Sequence, residues 1–213
     1  MKILFFYFLK FYILQLSNII NYKRTDIYGI ALNVFFLKLS MFWFVKQAYK
    51  KNKIMDAKEI SLNEKQVKPV VDLLNDYLAS YHIHYQKLRG CHWNVKGQNF
   101  FTLHIKFEEL YTNAQLTIDE IAERVLTLGK PPHSRFADYI KESSIKEINT
   151  IGLHDMDMVD ALLDDMAKLI EMERELLEAT DKAGDDGSND MVNRFMQFKE
   201  KNTWMLRSFA GKK

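Results

Sequence analysis

The sequence is poor in the residues that break helices and in those that build covalent frameworks. Its 213 residues include only eight glycines, three prolines and one cysteine. So few glycines and prolines favour long helices and argue against a turn-rich β-sandwich. Cys91 alone excludes an internal disulfide framework and a cysteine-based zinc site, and it fits a reducing cytosol. The length suits one ordinary domain with a sizeable core.

The small net charge of +2 hides two regions of opposite sign. Residues 1–54 contain nine Lys or Arg and one acidic residue, which gives +8. Residues 55–213 contain 21 Lys or Arg and 27 Asp or Glu, which gives −6. An acidic body repels the phosphates of nucleic acids and attracts cations.

Residues 1–54 also differ in composition, since they hold 14 of the 28 aromatic residues and no proline. The segment 1–16 begins like a signal peptide but lacks a small-residue cleavage site. The segment 29–45 approaches the roughly 20 apolar residues of a membrane anchor, but Asn33 and Lys38 interrupt it. Both interpretations therefore fit only in part.

A third interpretation of this region is a basic arm for nucleic acid, because Lys46, Lys50, Lys51 and Lys53 cluster, although the many Phe and Ile do not suit such an arm. The fourth is a start codon placed too early, because Phe, Ile, Lys, Asn and Tyr are the residues that A+T-rich codons encode. We favour the fourth interpretation, in which Met55 begins the domain of residues 55–213. We then expect no membrane span in the mature protein.

Apolar residues from Met55 onward recur at steps of three and four, which predicts long amphipathic helices. Asn63 with Gln66 predicts a capped start for the first helix, whose stripe runs from Val67 to Leu88. Residues 96–99 interrupt the pattern. A second stripe runs from Phe100 to Leu128, and Gly129 with Pro131 and Pro132 ends it.

Residues 130–154 form a long connection, in which we expect Ser134 to cap a short helix through Phe136, Tyr139 and Ile140. Asp155 is predicted to open a third long helix. Gly184, Gly187 and Ser188 predict a turn before a fourth helix that carries Met191 to Phe209. Two helical hairpins joined by one long crossover predict an all-α four-helix bundle.

Two pairs on the second helix have the chemistry of metal ligands, namely His104 with Glu108 and Asp119 with Glu123. Each pair is spaced i, i+4 and therefore shares one helix face. Imidazole and carboxylate ligands suit iron, manganese or zinc, and His92 lies near the end of the first helix. His104 and Asp119 are 15 residues apart, or about 22 Å along a helix, so one chain cannot bring both to one metal.

A two-fold axis removes this difficulty. The pair Glu108 and Asp119 and the pair His104 and Glu123 share the midpoint 113.5. Two antiparallel copies of the helix would therefore bring His104 and Glu108 against the partner's carboxylates, twice per dimer. The simpler alternative is a solvated polar face with an incidental histidine. No histidine follows a Glu at the spacing Glu-x-x-His, which disfavours an intrachain di-iron site of the ferritin kind.

Four motifs lie on the first two predicted helices and the residues between them: His92-Trp93-Asn94-Val95-Lys96-Gly97, residues 100–104, residues 107–111 and residues 118–124. Together they resemble the signature of the Dps family, and the resemblance extends over roughly residues 63–210. The resemblance implies a ferritin-like four-helix bundle with a short extra helix in the central crossover. It also implies a cytoplasmic protein that forms hollow dodecamers built from two-fold dimers.

The resemblance implies ferroxidase centres at the two-fold interfaces. His92, His104 and Glu108 of one subunit and Asp119 and Glu123 of its partner would then be the catalytic iron ligands. Glu108 stands where many members have Asp. Such a protein would oxidise Fe²⁺, preferably with hydrogen peroxide, store ferric mineral in its shell and protect against oxidative stress.

The resemblance suggests two further roles. Asp181, Asp186 and Asp190 correspond to acidic residues that line three-fold pores and admit iron, and the alternative is a solvated acidic turn. Trp93 and Trp204 would intercept one-electron oxidants, and the alternative is ordinary packing.

Two rival functions remain at this point. One is a DNA-compacting nucleoid protein, since some family members bind DNA through Lys-rich tails. In the domain that starts at Met55, the basic residues at the C-terminal end are only the two lysines of Gly-Lys-Lys. We therefore expect weak DNA binding at most. The other rival is a scaffold bundle without metal. We expect His82 and His84 to be structural, and His133 and His154 to lie in loops or caps.

Overall fold

The computed structural model describes residues 55–212, together with Lys38. The interpretations of residues 1–54 as an early start, an anchor, a signal or a basic arm therefore lie, apart from Lys38, outside the described residues. Among the residues that are described, no helix combines the length and the apolar character that crossing a bilayer requires.

Residues 55–212 fold into helices without a strand. A 3₁₀ helix, Ala57–Ile60, precedes five α-helices: α1 (Glu64–Asn94), α2 (Phe100–Thr127), α3 (Phe136–Glu142), α4 (Asp155–Ala183) and α5 (Asp186–Phe209). Helix α1 packs against α2 and α4, α4 packs against α5, and the short α3 packs against α1. The prediction of a four-helix bundle with a short extra helix in the crossover is confirmed.

The start of α1 and the end of α4 follow the capping chemistry that the sequence predicts. The Asn63 side chain accepts a hydrogen bond from the backbone N–H of Lys65 at 3.0 Å, as a helix N-cap does. Helix α4 begins at Asp155, as predicted, and is followed by the C-cap residue Gly184, whose φ of 66° is the left-handed conformation that favours glycine. The Asn63 cap fixes the start of α1, the helix that carries His92, and Gly184 follows the helix that carries Asp181.

Two predicted boundaries are wrong. Arg135, and not Ser134, is the N-cap residue of α3, and its side chain forms an ion pair with Asp138 instead of capping the helix. Helix α5 begins at Asp186, so Gly187 and Ser188 lie in its first turn and not in the preceding turn. The cause is Asp185, whose carboxylate accepts from the backbone N–H of Ser188 at 3.0 Å and starts the helix early.

The core fixes α1 against α2 and thereby positions the candidate site. The largest fully buried side chains include Tyr77, Leu78, Leu88, Leu103, Phe107, Ile121, Leu162 and Leu169. Burial of one such side chain stabilises the fold by about 1.5–3 kcal/mol. Because Leu103, Phe107 and Ile121 hold one side of α2 inside the bundle, the side that carries Glu108, Asp119 and Glu123 is exposed.

Candidate metal centre

The α1–α2 hairpin brings His92 and His104 together. His92 lies in the last turn of α1 and His104 near the start of α2. Their rings stack with centroids 3.7 Å apart and an interplanar angle of 21°. Each Nδ1 lies 2.8 Å from the backbone carbonyl oxygen of the other histidine, so each ring forms a hydrogen bond with the backbone of the other residue.

These hydrogen bonds determine which ring nitrogen carries hydrogen. A carbonyl oxygen only accepts, so Nδ1 of each ring must donate. In the neutral rings, Nε2 of both His92 and His104 is then left with a free lone pair. Metal-binding histidines have this arrangement, in which the second ring nitrogen donates to a carbonyl or a carboxylate and orients the ring.

Two aromatic residues support the histidine pair. The Phe100 ring stacks on His104 with centroids 4.9 Å apart, and the Tyr111 ring meets His92 edge-on at 5.2 Å. The Tyr111 hydroxyl donates to Oε1 of Glu108 at 3.5 Å. Loss of surrounding water, followed by the charge of Glu108, raises the pKa of Tyr111.

Sequence reasoning missed Tyr111 as part of this site. A signal was present, because Tyr111 lies three residues after Glu108 and seven after His104, and both spacings belong to one helix face. The motif residues 107–111 also include it. Its contact with His92 depends on the crossing of α1 and α2, which spacing along one helix does not reveal.

The carboxylates of the predicted site lie on the exposed side of α2. Glu108, Asp119 and Glu123 are all exposed in the protomer. By helix geometry, Asp119 lies about 22 Å and Glu123 about 28 Å further along α2 than His104. Within residues 55–212, no three His, Cys, Asp or Glu side chains of one chain come close enough to hold a metal ion. One protomer therefore offers two separate parts of the predicted ligand set.

Exposed apolar side chains share this side of α2. Phe101 is 79% exposed, Ile105 65%, Leu116 67% and Leu126 42%. Apolar residues exposed together on one helix face are typical of an interaction surface. Phe101 and Leu126 have the midpoint 113.5, the same as both ligand pairs. Two antiparallel α2 helices would therefore bring Phe101 of each chain opposite Leu126 of the other.

Trp93 and Trp204, the tryptophans predicted to intercept oxidants, are surface residues in the protomer. Trp93 is 56% exposed beside His92, and the Arg89 guanidinium carbon lies 4.7 Å from the centre of its ring. Trp204 is 66% exposed on α5. Neither side chain packs in the core of its own chain.

The acidic turn between α4 and α5 separates into two kinds of residue. Asp181, Asp186 and Asp190 are exposed, and Asp190 lies 3.9 Å from the Arg194 guanidinium. The intervening Asp185 is buried and pairs with the guanidinium group of Arg124. The three residues predicted to line a pore thus remain available to solvent, whereas their neighbour has a structural role.

Comparison with known proteins agrees with this architecture. Residues 71–213 match the family model of the ferritin-like domain. A DNA protection during starvation protein from Brevibacillus brevis is 42% identical over 140 residues, which cover 66% of this chain and 93% of the relative. The protein of the same name from Porphyromonas gingivalis is 37% identical over 151 residues, covering 71% of this chain and 94% of the relative.

Solved structures match in the same region. A Dps protein from Vibrio cholerae, described as a member of a broad superfamily of ferritin-like diiron-carboxylate proteins, matches with a TM-score of 0.68 and 38% identity over 70% of this chain and 94% of its own. A Dps protein from Bacillus brevis matches with a TM-score of 0.66 and 40% identity over 68% and 97%. With this helical architecture and these matches in sequence and structure, the chain belongs to the Dps family of ferritin-like proteins.

Proposed function

We propose that this protein is a cytoplasmic ferroxidase and iron storage protein. It oxidises Fe²⁺, preferably with hydrogen peroxide, at centres between two subunits, and it stores ferric mineral inside a hollow dodecamer. The observation that carries the proposal is the reciprocal hydrogen bonding of His92 and His104, because it leaves both Nε2 atoms free to bind a metal. Membership of a family with diiron-carboxylate relatives supports iron as that metal.

The complete centre needs two chains related by a two-fold axis near position 113.5. His92, His104 and Glu108 of one chain would face Asp119 and Glu123 of its partner. The shared midpoint of Phe101 and Leu126 supports the same pairing, because it would bury these exposed apolar side chains together.

The ligand set favours oxidation for an electrostatic reason. Carboxylates stabilise Fe³⁺ more strongly than Fe²⁺, since the attraction grows with the charge of the ion. Two Fe²⁺ ions would give two electrons to one peroxide, which becomes two hydroxide ions. Iron and peroxide would be consumed together, so fewer hydroxyl radicals would form and the cell would be protected against oxidative stress.

The exposed carboxylates of Asp181, Asp186 and Asp190 support a route for iron into the shell. Rings of such groups around a three-fold pore would concentrate cations before specific binding occurs. Replacing all three with Asn should slow iron uptake at low salt more than at high salt. Slowing by the same factor at both salt concentrations, or no slowing at all, would exclude this electrostatic role.

The central test replaces both histidines. In His92→Gly with His104→Gly, we expect peroxide-driven oxidation of Fe²⁺ to slow by more than about tenfold, the lower end of the effect of losing even a supporting group around a metal. The rate is followed by the ultraviolet absorbance of ferric iron, and assembly by light scattering. His154→Gly is the matched control, since His154 is exposed and makes no capping bond. Unchanged kinetics in an intact double variant would contradict the site.

The names of the relatives raise a second function, protection of DNA by direct binding. The charge of −6 over residues 55–213 opposes it, because DNA binding requires basic surface. We propose that protection comes instead from removal of iron and peroxide. Tight, salt-sensitive retardation of DNA in a gel at physiological salt would overturn this choice.

A further inference from the structure

Helix α1 carries an aromatic or cationic side chain at every fourth position from the core to the candidate centre. These residues are Tyr77, Tyr81, Tyr85, Arg89 and Trp93. The Tyr77 and Tyr81 rings meet edge-on with centroids 4.9 Å apart. The Arg89 guanidinium carbon lies 5.4 Å from the centre of the Tyr85 ring and 4.7 Å from that of Trp93. Neighbours in this row lie one turn apart on α1, and the row winds gradually from buried Tyr77 to exposed Trp93.

Tyr111 of α2 joins this row of side chains to the histidine pair. Its ring centroid lies 6.3 Å from that of Tyr85 and 5.2 Å from that of His92. Tyr81 and Tyr85 are separated by one helical turn, a rise of about 6 Å. We call Tyr77, Tyr81, Tyr85 and Tyr111 the tyrosine path, because they form a series of phenols from the core to His92, with ring contacts between Tyr77 and Tyr81 and between Tyr85 and Tyr111.

The inner end of the path has a built-in proton acceptor. The Tyr77 hydroxyl donates to Oε1 of Glu173, which is fully buried. The other carboxylate oxygen of Glu173, Oε2, is buried and has no hydrogen-bond partner among the described residues. Burial raises the pKa of Glu173, and burial, followed by Tyr81 and Glu173, raises that of Tyr77 well above its ordinary value.

Lys199 distinguishes the two inner tyrosines. Its ammonium lies 2.6 Å from Oε1 of Glu173, donates to the Tyr81 hydroxyl and lies 3.2 Å from that of Tyr77. A cationic tyrosine radical beside this ammonium would be strongly repelled, so an oxidised phenol here must release its proton. Tyr77 has a carboxylate to receive that proton, whereas Tyr81 faces the donor Lys199.

We propose that the tyrosine path supplies an electron from Tyr77 to one-electron oxidants that form at the His92–His104 centre, and so protects the protein from self-oxidation. The oxidant is the hydroxyl radical, which Fe²⁺ and peroxide produce when only one electron is transferred. The inference rests on the proposed ferroxidase function.

The atoms and electrons of this step balance. The Tyr77 O–H bond breaks, its proton forms an O–H bond with Glu173, and its electron leaves through Tyr81, Tyr85 and Tyr111. The hydroxyl radical takes up that electron and one proton from solvent and becomes water. Tyr77 is oxidised to a neutral phenoxyl radical, and the oxidant is reduced.

The test uses the assembled full chain, loaded with Fe²⁺ without oxygen, mixed with hydrogen peroxide and frozen within milliseconds. We expect electron paramagnetic resonance to detect a tyrosyl radical whose spectrum narrows when the protein contains ring-deuterated tyrosine. Tyr77→Phe and Tyr85→Phe should each lose most of this signal, because phenylalanine is far harder to oxidise. The rate of Fe²⁺ oxidation should stay the same in both variants.

Tyr139→Phe is the matched control, because Tyr139 stacks on His82 away from the path and should leave the signal unchanged. Tyr85→Phe removes one hydroxyl from a half-buried residue, so it still tests the path if Tyr77→Phe does not fold. Normal iron oxidation without a tyrosyl signal, or with a signal that survives in Tyr85→Phe, would overturn the inference alone. Failure of the unsubstituted chain to oxidise iron would instead overturn the proposed function and, with it, the inference.

Discussion

The core cluster around His84 and the histidine pair at the end of α1 use the same side-chain chemistry in opposite surroundings. In the core, Nδ1 of His84 lies 3.0 Å from one carboxylate oxygen of Asp165, and Lys87 lies 2.6 Å from the other. At the candidate centre, the side-chain bonds of His92 and His104 go to backbone carbonyls. A histidine whose charged partners lie in its own chain is structural, whereas one with a free, oriented Nε2 is prepared for a ligand.

The carboxylates of the core and those of the candidate centre differ in the same way, because those of the core are paired within their own chain. Glu173 and Asp165 are buried, and each forms an ion pair with a buried lysine. Glu108, Asp119 and Glu123 are exposed on α2. Buried charges are costly to leave unpaired, and exposed ones are not. The core cluster should therefore control stability, and the α2 surface should control assembly and iron chemistry.

The largest expected effect is on stability, and it comes from removing one partner of a buried ion pair in the core. Lys199→Met leaves the Glu173 carboxylate buried without its ammonium. Removing one partner of a buried ion pair costs about 3–5 kcal/mol, and we expect a loss of this size in the free energy of unfolding. Denaturant unfolding at a fixed protomer concentration measures it, since assembly contributes to apparent stability.

Two variants make this prediction specific. Lys201→Met changes an exposed lysine two residues away and should have almost no effect. Adding Glu173→Gln to Lys199→Met removes the unpaired charge and should recover part of the loss. If Lys199→Met were as stable as Lys201→Met, the buried ion pair of Glu173 and Lys199 would not have the structural role assigned to it.

The fold was predictable because the core follows helical periodicity. The apolar stripes of α1, α2, α4 and α5 are long and uninterrupted, and Asn63 and Gly184 mark helix ends through side-chain capping and backbone conformation. Ser134, predicted to cap α3, and Gly187 with Ser188, predicted to lie in a turn, misled the prediction for a local reason. Several polar residues near a helix start can cap it, and the choice of Arg135 and Asp185 depends on the position of the whole connection.

The candidate site was predictable only in part. Spacing along α2 placed Glu108, Asp119 and Glu123 on one side, and that side is exposed. Spacing did not reveal the stacking of His92 on His104 or the contact of Tyr111, because both require the crossing of α1 and α2. The carbonyl bonds that orient the two imidazoles involve backbone atoms, which leave no mark in the sequence.

The second prediction tests the α2 surface. Phe101→Glu should convert the assembly into smaller species, because a carboxylate would replace an apolar contact across the proposed two-fold axis. Adding Leu126→Lys in the same chain should restore the dimer, because positions 101 and 126 would face each other twice in the antiparallel pair. Analytical ultracentrifugation gives the size of each variant.

The stability of the isolated helical bundle should hardly change in Phe101→Glu, since Phe101 is 79% exposed in the protomer. Leu126→Lys alone serves as the matched single change. A double variant that stays as dissociated as Phe101→Glu would show that the two positions do not meet. The proposed intersubunit centre would then lose the geometry on which it depends.

The third and smallest prediction concerns the pH dependence of stability at His84. Burial lowers the pKa of His84 and outweighs the adjacent Asp165 carboxylate, which acts in the opposite direction. The unfolded chain, with a histidine pKa of about 6.5, then binds a proton more readily than the folded chain. The neutral His84 stabilises the fold above this pH, and that stability is lost as the pH falls from there through the lower pKa of the folded state.

Each unit by which the pKa is lowered corresponds to about 1.4 kcal/mol. Urea unfolding on both sides of pH about 6.5 measures the change, and His84→Gln, which cannot titrate, should have a flatter profile over this range. A profile of His84→Gln as steep as that of the unsubstituted chain would show that another group causes the slope. The buried pair of His84 and Asp165 would then not be the pH-sensitive part of the core.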